Sequence, residues 1–180
     1  QSGQIDSVGF ELYTRLLEES VLELKGQKIE AAPEPELNLP WEANIPESYL
    51  PEMALRLSFY KQFSMTQNQE EIEDILLEME DRFGPLPQEV QNLKETMLVK
   101  ALAKRVWLKS LSFEKGGIRL NFDPKSPVEP ESLMLRLDKE PGRFQWLSST
   151  ELKMGFKEGK EEAALESLKG FLLGLQLREA

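Results

Sequence analysis

The side chains able to do chemistry in this chain are carboxylates, and four of them recur on one side of a single helix. Glu71, Asp74, Glu78 and Asp81 are spaced i, i+3, i+7 and i+10, with no Lys or Arg at the positions of that stripe. On the other side Ile72, Ile75, Leu76, Met79 and Phe83 follow the i, i+3, i+4, i+7 spacing that predicts a buried helical stripe. The chemistry open to such an acidic face is ion pairing. Carboxylates three or four residues apart emerge about one turn apart and can engage two cations together. Without cations they repel one another at ~0.2–0.5 kcal/mol per pair. Gly84 suits the left-handed residue after a helix end, and Pro85 cannot continue the helix. Glu78 and Asp81 therefore fall in the last turn, at the negative end of the helix dipole, where a cation is favoured. On the residues alone two readings stay open, a solvated acidic face or a site for a basic partner.

Other chemistries find little support. The 180 residues include no His and no Cys, which excludes disulfides, most transition-metal sites and the common nucleophile–base pairs. No catalytic, cofactor-binding or metal-ligating residue is assigned, and no cofactor is expected. The run Gly155-Phe156-Lys157-Glu158-Gly159-Lys160 is one spacer short of a phosphate loop. It also has Glu161 where Ser or Thr must hold magnesium. Glu161 and Glu162 open a helix, where acids are simply favourable. Gly170 and Gly174 have the spacing of a close helix contact and are read as tight packing of the last helix on a sheet. Trp41, Trp107 and Trp146 have no interleaved basic residues, so base stacking is not expected. Among Lys100, Lys104, Arg105 and Lys109 only the first two share a helix face, which reads as solvated surface.

Charge and composition set the outer bounds. The net charge of −10 is uneven: residues 1–95 carry 7 basic and 20 acidic side chains, residues 96–180 carry 15 and 12. An acidic surface repels phosphates, so broad DNA binding is not expected. No 18-residue apolar run and no signal-peptide pattern occur, so neither membrane nor export is indicated, and the expected location is cytoplasmic. A chain this long can bury ~70% of its unfolded surface.

The elements that must position the acids follow from periodicity. Val8 to Lys25 reads as a helix, with Phe10, Tyr13, Leu17, Val21 and Leu24 on one side. Residues 26–51 hold five prolines and almost no helical period, an extended connector whose Leu37, Leu39, Trp41 and Ile45 suit a protein surface. A second helix runs from Pro51 or Glu52 to Phe63. A third runs from Gln69 to Phe83, with Asn68 as N-cap and Glu71 in capping-box spacing. A fourth runs from Pro87 to about Val106. Leu111 and Phe113, then Ile118, Leu120 and Phe122, alternate around Gly116-Gly117 as a β-hairpin. A short helix over Pro130–Leu137 precedes two more strands, carrying Phe144 and Trp146, then Leu152, Met154 and Phe156. The last helix is predicted from about Gly159 to Leu177. The fold class is α+β: N-terminal helices and an extended connector, then a ββαββα unit with a mostly antiparallel sheet covered by helices.

The same residues carry a resemblance. The run Glu78-x-x-Asp81-Arg82-Phe83-Gly84-x-Leu86-Pro87 is similar to the C-terminal domain of the bacterial transcription-repair coupling factors, the Mfd family. Gly9-Phe10-Glu11-Leu12-Tyr13 with Leu17-Glu18-Glu19, and Ile45-Pro46-Glu47-Ser48-Tyr49-Leu50-Pro51, agree in order and spacing. So do Arg56-Leu57-Ser58-Phe59-Tyr60-Lys61 and Glu89-Val90-Gln91-Asn92-Leu93. The likeness covers the first two thirds well and the last third in outline. Gln4 stands where the family more often has His. Trp107 stands where it usually has a Gly closing the long helix, and Trp cannot adopt a left-handed cap cheaply.

The resemblance implies a division into a helix from the end of a motor region (1–25), a Pro-rich connector (26–51) and a C-terminal regulatory domain (52–180). It implies a parent that is a DNA-translocating ATPase, which displaces stalled RNA polymerase and recruits excision repair. In that family the domain packs on a UvrB-like N-terminal module and covers the surface that recruits UvrA. By position, Glu78 and Asp81 would face arginines of that module, with Glu71 and Asp74 as further candidates. Phe83 is expected in the core, and Arg82 either in an internal salt bridge or as a cation for the helix end. The expected function is non-catalytic autoinhibition, with UvrA and RNA polymerase as indirect partners and no direct nucleic-acid or membrane partner. The competing reading is a nucleic-acid-binding accessory domain that uses the more basic second half.

Overall fold

The computed structural model describes residues 32–179. The helix expected over residues 8–25 lies outside them. The described chain forms two compact units, residues 41–98 and residues 32–40 with 99–179.

In the first unit, α1 (Met53–Met65) and α2 (Gln69–Phe83) are followed by the start of α3 (Gln88–Arg105). α2 begins where expected. Asn68 Oδ1 accepts from the Glu71 N–H at 3.0 Å, and the Glu71 carboxylate accepts from the Gln67 N–H at 2.8 Å and from Asn68 Nδ2 at 3.0 Å. One orphan donor of the helix start, the Glu71 N–H, is thereby satisfied, and the Gln67 N–H just before the cap is satisfied with it. The apolar stripe of α2 meets α1, α3 and the preceding segment in one core. Ile45, Leu50, Phe59, Tyr60, Phe63, Ile72, Leu76, Met79, Val90 and Leu93 are buried there. Each such side chain contributes ~1.5–3 kcal/mol when fully buried. Phe83, expected in the core, sits at its rim. Its ring lies edge-on to Tyr49 at 6.3 Å and to Phe59 at 5.8 Å, one side still open to water.

The second unit is a five-stranded sheet of order β1-β2-β3-β5-β4. Its strands are β1 (Glu36–Asn38), β2 (Leu108–Glu114), β3 (Gly117–Phe122), β4 (Phe144–Trp146) and β5 (Glu151–Gly155), joined by α4 (Pro130–Asp138) and α5 (Glu161–Leu173). The hairpin at Gly116 and the ββαββα order match the sequence reading. Ile118, Leu120, Leu152 and Met154 are buried, while their neighbours Arg119, Asn121 and Lys153 stay half-exposed, so one sheet face is covered. α5 lays Phe171 against Phe144, ring centroids 4.9 Å apart.

Three local readings need correction. The connector contributes β1, which runs parallel to β2 with Leu37 opposite Leu111. Prolines flank it and it lies at the sheet edge, where a missing ladder N–H is tolerated. The last helix ends at Gly174, short of Leu177. A Cβ at Gly174 would lie 1.6 Å from the Arg136 guanidinium, so this glycine admits a side chain of α4 instead of a close helix–sheet contact, and Gly170 has open space. The chain beyond then pairs Leu177 with Val128. Finally, α3 ends at Arg105, and Trp107 does take the left-handed conformation, with φ 56°. Its N–H donates to Lys104 O at 3.1 Å, and its carbonyl accepts from the Asp123 N–H at 2.8 Å. These bonds offset a strain of roughly 1–2 kcal/mol.

Candidate interaction surface

The sequence-predicted acids divide into three kinds of environment on α2. Glu71 is engaged in the cap described above, a structural use that accounts for its position. Glu78 is paired within the helix: Arg82 Nη1 lies 2.6 Å from its Oε1, four residues on, with both side chains 45% exposed. The same guanidinium sits 4.9 Å from the Phe83 ring centroid and 5.7 Å from that of Phe59. Arg82 is thus the internal salt bridge, and it also sheathes the rim of the core. Asp74 and Asp81 are exposed and have no ion pair among the described residues. Asp74, Glu78 and Asp81 share one exposed face.

The turn that follows fixes where this face ends. Gly84 donates its N–H to Glu80 O at 2.9 Å and has φ 91° with ψ −172°. Positive φ was expected, but this ψ lies outside the left-handed helical well, in a region essentially reserved for glycine. Among the described residues no cation bonds the last carbonyls of α2. The Tyr49 hydroxyl does, lying 3.0 Å from Met79 O and 2.9 Å from Gly84 O with its single proton between them. Burial, and secondarily the nearby Glu80 charge, push the Tyr49 phenol above its ordinary range. Tyr49 belongs to the Ile45–Pro51 segment, so two of the sequence segments singled out above meet at this helix end.

Two residues here escaped the sequence reading. Glu73 binds Lys94 Nζ at 2.8 Å and Gln69 Nε2 at 2.7 Å, which ties α2 to α3. The Gln69 hydrogen bond and then the Lys94 bond and charge hold its carboxyl below the ordinary range. Leu77 is 62% exposed. It lies off the apolar stripe, five residues from Ile72 and so about 140° around the helix, a signal legible in the sequence.

The remaining candidates resolve differently. Lys100 and Lys104 are not a bare solvated surface, because Glu34 pairs with both at 2.6 and 3.1 Å. Burial pushes the Glu34 carboxyl up, but the hydrogen bonds and charges of Lys100 and Lys104 outweigh it and hold it low. Arg105 donates to Leu172 O and Leu175 O. Beside the Gly155–Lys160 run is an open cleft of about 320 Å³ lined by Arg143, Lys157 and Lys160. In the same run the Gly159 N–H donates to the Glu161 carboxylate at 3.2 Å, so that backbone donor is already engaged. Among the described residues there is no metal-competent cluster and no helix long and apolar enough to cross a membrane.

Comparison with known proteins agrees with this architecture. A family model described as the TRCF domain matches residues 39–133. The chain is similar to the transcription-repair-coupling factor of Myxococcus xanthus, at 41% identity over 120 residues, 67% of this chain and 10% of that protein. It is similar to those of Escherichia coli K12 (30% identity) and Bacillus subtilis 168 (31%), each over 98% of this chain and 16% of the relative. The chain therefore spans only about a tenth to a sixth of these relatives. A crystal structure of the C-terminal domain of transcription-repair coupling factor shares the fold, with TM-score 0.64 and 22% identity over 78% of this chain and 92% of that one.

Proposed function

The chain belongs to the transcription-repair coupling factor family, carrying its TRCF domain, and from that premise we propose that it is a non-catalytic, autoinhibitory interaction domain. In this reading the acidic face of α2 docks on arginines of the parent factor's UvrB-like N-terminal module and masks the surface that recruits UvrA. Glu78 and Asp81 are the principal contacts, and Asp74 extends the face. Glu71 is the weakest candidate because its carboxylate already serves the cap. The parent supplies the DNA-translocating ATPase, and engagement of RNA polymerase shifts the population from the closed to the open state.

One observation carries the reading. Asp81 stands exposed, without an ion pair among the described residues, in the last turn of α2, where the helix dipole and Glu78 both oppose it. A cationic partner would relieve that conflict. Exposed ion pairs are worth only ~0.2–1 kcal/mol, but partly desolvated Arg–carboxylate pairs at an interface reach several times that.

Glu78→Ala with Asp81→Ala tests it. In the chain itself, losing the Glu78–Arg82 pair and losing the dipole conflict roughly cancel, so stability should move by less than ~0.5 kcal/mol. In the parent factor the same pair should increase UvrA capture. Unchanged UvrA capture would return the acids to a solvated face, and unfolding of the chain would make them structural.

A further inference from the structure

A single exposed leucine on a helix is unremarkable in itself. Leu77 is set apart by its neighbours. Asp74 lies three residues before it and Asp81 four residues after, both exposed and without an ion pair among the described residues, and Glu78 is adjacent. Every other apolar residue of α2 turns inward: Ile72, Leu76 and Met79 are buried, and Ile75 and Phe83 are packed against the same core. Leu77 cannot join them, since it points about 140° away from Ile72. An apolar side chain flanked on its own helix face by the two open carboxylates of Asp74 and Asp81 matches the usual layout of an interface, an apolar centre with a polar rim.

We infer that Leu77 is the apolar anchor of the α2 face: it enters an apolar pocket on a basic protein surface whose Arg or Lys side chains meet Asp74 and Asp81. The charges select and steer the partner, and burial of Leu77 holds it. This rests on the docking reading above and adds to it a residue that no charge argument supplies. The occupant is a protein surface rather than nucleic acid, because the rim is acidic and would repel phosphates.

The experiment titrates the 180-residue chain with the UvrB-like module of the parent factor over a series of salt concentrations, using wild type, Leu77→Ala, Leu77→Met and Asp81→Asn. Leu77→Ala should weaken binding at least tenfold while leaving the salt dependence as steep as in wild type, since no charge is removed. Leu77→Met, which restores apolar volume, should recover most of the affinity. Asp81→Asn should instead flatten the salt dependence. Thermal melting of Leu77→Ala should match wild type, because the side chain is exposed and Ala is the better helix former. If Leu77→Ala binds as tightly as wild type while Asp81→Asn binds weakly, the anchor is refuted and the docking reading stands. If wild type does not bind the module, the docking reading is refuted and the anchor with it.

Discussion

Gly84→Ala is the most direct probe of how α2 ends. With φ 91° and ψ −172°, the residue sits in a region that side-chain-bearing residues avoid. A Cβ there would meet nothing within 4 Å, so the substitution adds strain without adding a collision. Backbone strain of this kind costs ~1–3 kcal/mol. Ala returns ~0.4–1 kcal/mol by restricting the unfolded chain, which leaves a net loss of about 1–2 kcal/mol. Asn gives a sharper discrimination. At an ordinary left-handed cap Asn is nearly as good as Gly, but here ψ lies some 140° from that well. Gly84→Asn should therefore cost as much as Gly84→Ala. Urea denaturation followed by far-UV circular dichroism measures both, with changes read from the midpoint at constant slope. If Asn matched the wild type while Ala lost stability, the turn would be an ordinary left-handed cap and the geometry described here would be wrong. If neither lost stability, the turn would not constrain the backbone at all.

Tyr49→Phe keeps the ring against Phe83 and removes only the hydroxyl that serves Met79 O and Gly84 O, so it should cost ~0.5–1.5 kcal/mol by denaturation. An unchanged midpoint would show that water replaces the phenol without loss. At Trp107 the usual order of small residues should invert: Trp107→Gly should be more stable than Trp107→Ala by ~1 kcal/mol, because only Gly takes φ 56° freely. Ala outlasting Gly in paired melts would remove the left-handed assignment. The Glu34 carboxyl is held below its unfolded value, so its contribution is present above pH ~4.5 and is lost as pH falls through the lower folded value. Glu34 is partly exposed, so the effect is small after screening. Amide protection of Glu36–Asn38, relative to intrinsic exchange, should fall modestly on that acid limb in wild type and be already reduced at neutral pH in Glu34→Gln. A Glu34→Gln variant as protected as wild type at pH 7 would show that the strand holds without the lysines.

Features that are local in the chain were legible, and those whose causes are distant were not. The cap of α2 is written in residues 67 to 71 and its end in residues 83 to 85, so spacing rules locate both. The hairpin at Gly116 and the alternation of β3 and β5 are local in the same way. β1 escaped because its stabilising partner, Leu111 opposite Leu37, lies 74 residues further on, and three residues between prolines carry no periodicity of their own. The end of α5 was misread for a related reason. The apolar pattern continues through Leu175 to Leu177, but Arg136 from another element occupies the space at Gly174 and the chain leaves the helix there. Trp107 shows the converse: a local rule stated correctly, overridden because bonds to Lys104 and from Asp123 fix the backbone on both sides.

At the acidic face the same division has a functional consequence. The stripe of four acids was visible from spacing alone, but spacing treats the four as equivalent, and they are not. The cap takes Glu71 and Arg82 takes Glu78, which leaves charge available at Asp74 and Asp81, the two positions that flank Leu77. Arg82 is bonded to Glu78 while its guanidinium lies over the rings of Phe59 and Phe83, and Asp81 has no ion pair among the described residues. A partner arginine arriving at this face would meet Asp81 unopposed, whereas at Glu78 it would have to share a carboxylate already bonded at 2.6 Å. Single substitutions should therefore rank Asp81 above Glu78 in partner affinity, although Glu78 has the shorter and more visible contact.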